Sequence, residues 1–173
     1  KEKYLNWMYE NLMAIKSVMN ESASIYVHLD WHIGHYVKIL MDEIFGEENF
    51  QREIIWQLHG VAGYKSQAGN YVRAHDTIFY YTLGPEPVFN KQYLPYSAEQ
   101  LKRFSSVDEH GRRYKTITKE RRLYLDEAKG IALSDVWDDI ASFQTVVNSP
   151  ELCGYATQKP EALLERIIRS SSN

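Results

Sequence analysis

Helix and strand patterns alternate along the first half of the chain, and this alternation constrains the fold more than any other feature. Apolar residues recur at three- and four-residue steps in 4–19 and 34–45, which predicts two helices. Runs rich in β-branched and aromatic residues predict strands at 25–29, 50–57 and 76–82. Such alternation is typical of an open α/β sheet, so we expect an α/β fold.

A further helix with a marked start is predicted near the end of the chain. Pro160 suits the first helical position and Glu161 places a negative charge in the first turn. An ordinary amphipathic helix would explain this pattern. The free N–H groups and dipole of a helix start also favour an anion, so three polar residues before it are candidate ligand residues: Thr157, Gln158 and Lys159.

Size and composition indicate one globular domain, or one domain with a small insert. The chain has 173 residues, 44% of them hydrophobic and 25% charged. No apolar run is long enough to span a bilayer, and the charged opening does not resemble a signal peptide. The single cysteine, Cys153, cannot form an internal disulfide. We therefore expect a cytoplasmic protein without a membrane partner.

Positive charge is concentrated in Leu101–Arg122, here named the basic segment. It holds eight basic and three acidic residues, although the net charge of the chain is −3. One interpretation is a solvated charged face. The other is contact with DNA phosphates, with nearby tyrosines stacking on bases. Six residues are the DNA-binding candidates: Arg112, Arg113, Lys115, Lys119, Arg121 and Arg122.

Local signals mark the boundaries of a module. Gly84–Pro87 predicts a break, after which 87–134 reads as an inserted, mixed and loop-rich module. His110–Gly111 is expected at a hairpin tip, where Arg112 and Arg113 would reach guanine edges. The glycine-rich loop 58–74 is either a mobile lid or a plain surface loop.

Other kinds of site receive less support. His28, Asp30, His32 and His35 are of the types that bind zinc, but strand-end packing is the default explanation and we predict no metal. No G-x-S-x-G, Walker A or G-x-G-x-x-G motif is present. Acyl transfer, nucleotide hydrolysis and dinucleotide binding are therefore not indicated.

Several specific runs resemble one family in the same order. They are D-E-I-F-G-E-E-N-F-Q-R-E-I-I-W, H-D-T-I-F-Y-Y-T, D-V-W-D-D-I and Y-A-T-Q-K-P-E-A-L-L-E-R-I-I-R-S-S-S-N. They are similar to segments of beta-class amino DNA methyltransferases, which modify adenine N6 or cytosine N4. D-E-H-G-R-R-Y also resembles the recognition insert of type III-like modification subunits.

The resemblance implies a fold and a function. The fold would be α/β, part of a Rossmann-like S-adenosylmethionine-dependent methyltransferase sheet with an inserted mixed α+β target-recognition module. Residues 1–86 would form part of the core, 87–134 the insert, and 135–173 the return to the core with the helix before the cofactor loop. Thr157, Gln158 and Lys159 would lie near S-adenosylmethionine. Double-stranded DNA is the expected partner, with a homodimer or a restriction subunit as candidate protein partners.

Two parts of the family pattern are not in this sequence. The catalytic tetrapeptide Asp-Pro-Pro-Tyr and the glycine-rich cofactor loop Asp-Pro-Phe-x-Gly-Ser-Gly-Thr are both absent. We therefore expect no catalytic residue in this chain, and no activity of this polypeptide alone. The parent would methylate an exocyclic DNA amine in a restriction-modification system, with adenine N6 favoured over cytosine N4. The alternative is a stand-alone DNA-binding or specificity module without catalysis.

Overall fold

The computed structural model of the chain describes residues 1–59 and 67–173. These residues divide into two compact units. The core unit comprises Lys1–Asn90 and Ser134–Asn173, and the inserted unit comprises Lys91–Leu133. The middle of the loop that the sequence predicts at 58–74 lies outside the described residues.

The core unit contains a four-stranded mixed sheet. Its strands are β1 (Ser24–Leu29), β2 (Phe50–Gln57), β3 (His75–Thr82) and β9 (Val136–Trp137), in the order β1-β3-β2-β9. β3 is antiparallel to β1 and β2, and β9 is parallel to β2. The carboxyl ends of β1, β2 and β9 therefore share one edge of the sheet, where β3 begins. Open α/β sheets bind ligands at such an edge.

Helices cover both faces of this sheet. They are α1 (Glu2–Val18), α2 (Gly34–Phe45) and α4 (Glu161–Ser171), with a short 3-10 turn at Glu47–Asn49. Phe79 and Tyr81 of β3 pack in a cluster with residues of α1 and α2, while Ile78 and Tyr80 pack in a second cluster with Leu163 of α4. This split follows from the alternation of side chains along a strand. Within the described ranges, no helix is both long and apolar enough to cross a bilayer.

The observed bounds confirm most of the predicted elements of the core unit. α2 and β2 begin and end at the predicted residues, and α1 differs by one or two residues at each end. Gly46 ends α2 with φ +93°, a conformation that suits glycine. The prediction for Pro160 was wrong by one position. Its backbone is extended (φ −59°, ψ 140°), and Glu161 is the first helical residue.

The inserted unit is a small α+β structure. It comprises β4 (Tyr93–Leu94), α3 (Ala98–Lys102), β5 (Ser106–Val107), β6 (Arg113–Thr118), β7 (Arg121–Tyr124) and β8 (Ile131–Ala132). β5, β6 and β7 form an antiparallel sheet, and β4 pairs with β8. The predicted hairpin tip is confirmed, because Val107 pairs with Arg113 and Gly111 turns the chain with φ +80°.

Candidate functional site

A cavity of about 300 Å³ lies at the carboxyl edge of the core sheet. Trp56 lies near the end of β2 and Leu58 directly after it, Asp76 lies at the start of β3, and Pro160 directly precedes α4. The remaining lining residues belong to the segments between β9 and α4: Ser142, Phe143, Gln144, Ala156, Gln158 and Lys159. Buried apolar groups and a few charged ones therefore meet in one concave site, as is usual for small-molecule sites.

Two of the three residues predicted near the cofactor line this cavity, namely Gln158 and Lys159. Lys159 is half-buried, its Nζ donates to the Thr157 carbonyl at 2.7 Å, and burial lowers the pKa of its ammonium group. Gln158 Nε2 donates to the Glu151 carbonyl at 2.7 Å, and its Oε1 accepts from Cys153 N at 3.0 Å. Thr157 is exposed and is not among the lining residues.

The start of α4 already has an internal anion. The Glu161 N–H donates to Glu151 Oε2 at 3.0 Å, so this carboxylate already binds one of the N–H groups at the helix start. The charge that remains available at the cavity is therefore the Lys159 ammonium rather than the helix end itself.

Asp76, which lines the cavity, belongs to a charged cluster. His28 Nε2 lies 3.1 Å from Asp76 Oδ2, and Arg73 forms an ion pair with Asp76. The Asp76 side chain is 12% exposed. Burial lowers the pKa of His28 to about 4, and the positive charges of Lys159 and Arg73 act in the same direction. His28 is therefore neutral at pH 7.

The four residues considered as zinc ligands do not converge. His28 contacts Asp76, whereas His32 contacts Asp30. The His32 Nδ1 to Asp30 Oδ2 distance is 3.1 Å, and this second pair is exposed. Within the described ranges, no group of three or more His, Cys, Asp or Glu side chains is arranged to hold a metal ion.

Sequence reasoning missed Asp76 and Trp56 as cavity residues. Trp56 is 2% exposed, its Nε1 donates to the Ile140 carbonyl at 2.9 Å, and its ring contacts His28 edge-on at 5.5 Å. The signal that would have found Asp76 is a carboxylate at the first residue of the strand predicted at 76–82, where that strand begins beside the ends of two others. Recognising it required the order of the strands.

A second, more open cavity of about 840 Å³ lies nearby in the core unit. It is lined by Trp31, residues 67–68 and residues 70–75. The Trp31 ring is 63% exposed and stacks on His32 with 3.8 Å between ring centroids. Arg73, Ala74 and His75 line this cavity and the next residue, Asp76, lines the first, so the start of β3 borders both.

Arg112, a predicted DNA contact, is held by carboxylates of its own unit. Its Nε donates to Asp126 at 2.8 Å and its Nη2 to Glu127 at 2.6 Å. The guanidinium also lies 4.1 Å from the centre of the Tyr124 ring. The hydrogen bond from Arg112 lowers the pKa of Asp126. Arg112 therefore links the hairpin tip to the segment after β7.

Two more of the predicted contacts touch Phe104 of the inserted unit. Arg113 Nε donates to the Phe104 carbonyl at 3.0 Å, and Lys115 Nζ lies 4.7 Å from the centre of the Phe104 ring. Phe104 is fully buried. These two cations thus cover the small core of the unit.

The last three candidates are exposed around the turn between β6 and β7. Lys119 lies in the turn, Arg121 begins β7, and the Arg122 guanidinium lies 4.7 Å from the centre of the Tyr114 ring. Tyr114 and Tyr124 are paired across the strands with ring centroids 5.6 Å apart. Arg112, Arg113 and Lys115 thus contact carboxylates or Phe104 of their own unit, whereas Lys119, Arg121 and Arg122 lie exposed around the β6–β7 turn.

Comparisons with known proteins agree on the family. A family model for N6 and N4 enzymes, described as DNA methylase, matches residues 1–173. The chain is 23% identical over 221 aligned residues to the Type II methyltransferase M.EcaI of Enterobacter cloacae, covering 98% of this chain and 48% of that protein. It is 25% identical over 88 residues to the Type III restriction-modification enzyme EcoP15I Mod subunit of Escherichia coli, covering 51% of this chain and 13% of that subunit.

A solved structure supports the fold. The crystal structure of the M1.HpyAVI–SAM complex matches 99% of this chain and 61% of the solved chain with a TM-score of 0.56 and 16% sequence identity. The mixed sheet covered by helices on both faces is accordingly that of a Rossmann-like methyltransferase. This chain spans about half the length of M.EcaI and less of the Mod subunit. Because the family model covers the whole chain, the chain belongs to the N6/N4 amino-methyltransferase family of DNA methylases.

Proposed function

We propose that this chain is part of a DNA methyltransferase that modifies an exocyclic amine, adenine N6 rather than cytosine N4, within a restriction-modification system. The family match over residues 1–173 carries this proposal. The cavity at the carboxyl edge of the core sheet agrees with it, since ligands of open α/β sheets bind there. Both curated relatives described above are named for methyl transfer or restriction-modification.

The cavity fits part of S-adenosylmethionine, the cofactor that this family uses. The ammonium group of Lys159 suits the carboxylate of the cofactor. The apolar wall of the cavity suits the uncharged part of the cofactor. Lys159 and Gln158 would hold the cofactor, with Thr157 supporting Lys159 through its carbonyl oxygen. Bound there, the cofactor supplies a methyl group on a positively charged sulfur.

The residues of this chain would position and exclude water rather than act on the reacting atoms. Trp56 and Leu58 are buried and keep the inner wall of the cavity dry. His28, which is neutral, and the Arg73 cation both contact the Asp76 carboxylate, and these contacts limit the positions of the Asp76 side chain. Alignment of reactants by such fixed groups is a large part of catalysis.

The inserted unit would contact duplex DNA through its basic segment. The exposed cations Lys119, Arg121 and Arg122 are suited to phosphate oxygens, while Arg112 and Arg113 hold the fold of the unit that presents them. Tyr114 lies beneath Arg122 and fixes the direction of its guanidinium. An enzyme that modifies a base must also take that base out of the duplex, which requires firm contact with the flanking backbone.

Transfer of a labelled methyl group tests the proposal. The full-length gene product that contains this chain is incubated with radiolabelled S-adenosylmethionine and duplex DNA, and the modified nucleoside is identified by mass spectrometry. N6-methyladenine is the expected product. N4-methylcytosine would change the target base and leave the reaction class intact.

The two candidate classes give different results in the same assay. A methyltransferase binds the cofactor and incorporates label into DNA. A stand-alone DNA-binding module binds duplex DNA with a salt-dependent affinity, binds no cofactor and incorporates no label. The second result would overturn the proposed function.

A further inference from the structure

The end of the β6–β7 hairpin extends beyond the third strand of its sheet. β5 pairs with β6 only at Arg113 and Tyr114. From there on β6 pairs with β7 alone, and this pairing continues to Thr118 and Arg121. All residues from 116 to 122 are exposed. Among the described residues, this end of the hairpin is therefore a two-stranded ribbon without a neighbouring strand.

The exposed ribbon carries an excess of positive charge. Within 116–122, Lys119, Arg121 and Arg122 are basic and Glu120 is acidic. None of the three cations forms an ion pair with any part of the chain that the structure describes. Unpaired, exposed cations are complementary to the phosphates of DNA, whose neutralisation releases counterions and favours binding. The charge of the ribbon therefore indicates DNA as its partner.

The dimensions of the ribbon match the major groove of B-form DNA. Neighbouring strands lie about 4.8 Å apart, and the major groove, about 12 Å wide, admits two strands with their side chains. The minor groove is about 6 Å wide, which is too narrow for such a ribbon. β5 consists of Ser106 and Val107 alone, so no third strand widens the exposed end.

Arg122 has a direction that the hairpin itself fixes. It lies opposite Thr116 in the strand pairing, and its guanidinium lies 4.7 Å from the centre of the Tyr114 ring. Such a contact holds the guanidinium while its charge stays unpaired. Arg112 also lies over a tyrosine ring, but two carboxylates already occupy its guanidinium. The oriented cation that is available to a ligand is therefore Arg122.

We infer that this two-stranded ribbon enters the major groove and that Arg122 reads a guanine of the recognition sequence. Arginine donates two parallel hydrogen bonds to guanine O6 and N7, a pair of acceptors that the other bases do not present there. The inference rests on the proposed function, because it specifies how the inserted unit contacts DNA. It gives Arg122 a base edge instead of a phosphate, and it replaces Arg112 and Arg113, the guanine contacts expected from the sequence.

Modified bases test the inference with a binding measurement. The recognition sequence is first located by mapping the bases that the full-length gene product methylates. Each guanine of that sequence is then replaced by 7-deazaguanine, which lacks the major-groove N7, or by hypoxanthine, which lacks the minor-groove amino group. Fluorescence anisotropy measures the affinity for each duplex. At one guanine, 7-deazaguanine should weaken wild-type binding by about 3- to 10-fold, the loss of one bond of the arginine–guanine pair, and hypoxanthine should have no effect.

Three variants identify the residue that reads this guanine. Arg122→Ala should bind the normal and the 7-deazaguanine duplex equally, because the partner of N7 is gone. Arg122→Lys retains the charge but loses the two parallel donors, so it should keep most of the salt dependence and lose most of the preference for guanine. Arg121→Ala is the matched control. It should weaken both duplexes by the same factor and retain the effect of 7-deazaguanine.

The outcomes distinguish the inference from the function on which it rests. If the full-length product neither binds nor methylates duplex DNA, the proposed function fails and the inference fails with it. If it methylates a sequence without guanine, or if Arg122→Ala retains the full effect of 7-deazaguanine, the function stands and the inference is wrong. An effect of hypoxanthine without one of 7-deazaguanine would place the contact in the minor groove and would also overturn it. Thermal unfolding of each variant identifies a loss of fold, and Arg122→Lys decides the assignment if Arg122→Ala unfolds.

Discussion

The cavity of the core unit and the basic segment of the inserted unit are built by opposite means. Buried apolar side chains shape the cavity, and its lysine has no ion-pair partner among the described residues. Ion pairs and stacked rings shape the basic segment, and Arg112 has two carboxylate partners. A cation without a partner indicates a ligand, whereas a cation with partners indicates a structural role. Counting charges along the sequence gives the reverse impression, because it draws attention to the basic segment.

The first prediction breaks the cavity. Trp56→Ala should lower the free energy of unfolding by about 3–5 kcal/mol, the range for a buried large-to-small change, since Trp56 is 2% exposed. Urea denaturation followed by circular dichroism measures the loss. Trp31→Ala, at a largely exposed ring, is the control and should cost less than about 0.5 kcal/mol. Equal losses in the two variants would contradict the assignment of Trp56 to a rigid wall.

The second prediction separates the two regions by pH. The pKa of His28 is about 4 in the folded chain, below the ordinary value near 6.5, so unfolding takes up a proton between these values. The contribution of His28 to the free energy of unfolding is therefore fully present above pH ~6.5. It declines by about 1–3 kcal/mol as the pH falls toward 4. Besides burial, the positive charges of Lys159 and Arg73 lower the pKa of His28, and the negative charge of Asp30 opposes them.

The inserted unit loses stability at a lower pH than the core unit does. The carboxyl groups of Asp108 and Asp126 have lowered pKa values because of hydrogen bonds from Arg112, so their contribution persists down to about pH 4 and is lost as pH falls through the folded pKa. Denaturation at a series of pH values, with histidine titration by NMR, measures both ranges. His28→Gln should flatten the curve between pH 6.5 and 4, and an unchanged curve would contradict the buried neutral ring.

The third prediction tests which cations reach DNA. Lys119→Ala and Arg121→Ala should each reduce the log–log slope of duplex affinity against salt by roughly 0.9, one phosphate contact each. Fluorescence anisotropy of a labelled duplex over a salt series measures the slope. Lys3→Ala is the control with the same loss of charge. A slope reduced equally by Arg112→Ala would show that Arg112 leaves its carboxylate partners to bind phosphate.

The fourth prediction, with the smallest expected effect, compares the melting temperatures of variants at Lys159 and Arg112. Lys159→Met should maintain or raise the melting temperature, because it removes a half-buried charge that forms no ion pair with any described residue. Arg112→Met should lower it, because Asp126 and Glu127 would lose the cation they share. Differential scanning calorimetry should detect shifts of roughly 2–4 °C or less. Shifts of the same sign would remove the distinction between the two sites.

Local patterns predicted much of the core unit because its elements depend on neighbouring residues. The bounds of α2 and β2 follow from apolar spacing and from β-branched and aromatic content, both of which are visible in short windows. The start of α4 was predicted to within one residue from Pro160 and Glu161. The resemblance of specific runs correctly gave the family, which spacing and composition alone did not give.

The composition of the sites was harder to predict because distant residues form them. Asp76 and Lys159 line one cavity only after β3 inserts between β1 and β2. Arg112 finds its carboxylates 14 and 15 residues later, across a strand pairing that no local pattern specifies. Thr157 was predicted beside Lys159, but its side chain is exposed and its carbonyl makes the contact.

The two core residues that flank the inserted unit, Asn90 and Ser134, form hydrogen bonds with other residues of the core unit. The Asn90 N–H donates to the Ser170 carbonyl at 2.7 Å near the end of α4, and the Ser134 carbonyl accepts from Trp137 Nε1 at 3.0 Å. Neither anchor uses a residue of Lys91–Leu133. Because both ends are held by contacts within the core unit, we expect the core unit to accept a different inserted unit between Asn90 and Ser134. A chimera that keeps Asn90 and Ser134 should retain its affinity for S-adenosylmethionine by calorimetry while its DNA preference changes, and a loss of that affinity would show that the core unit depends on its own inserted unit.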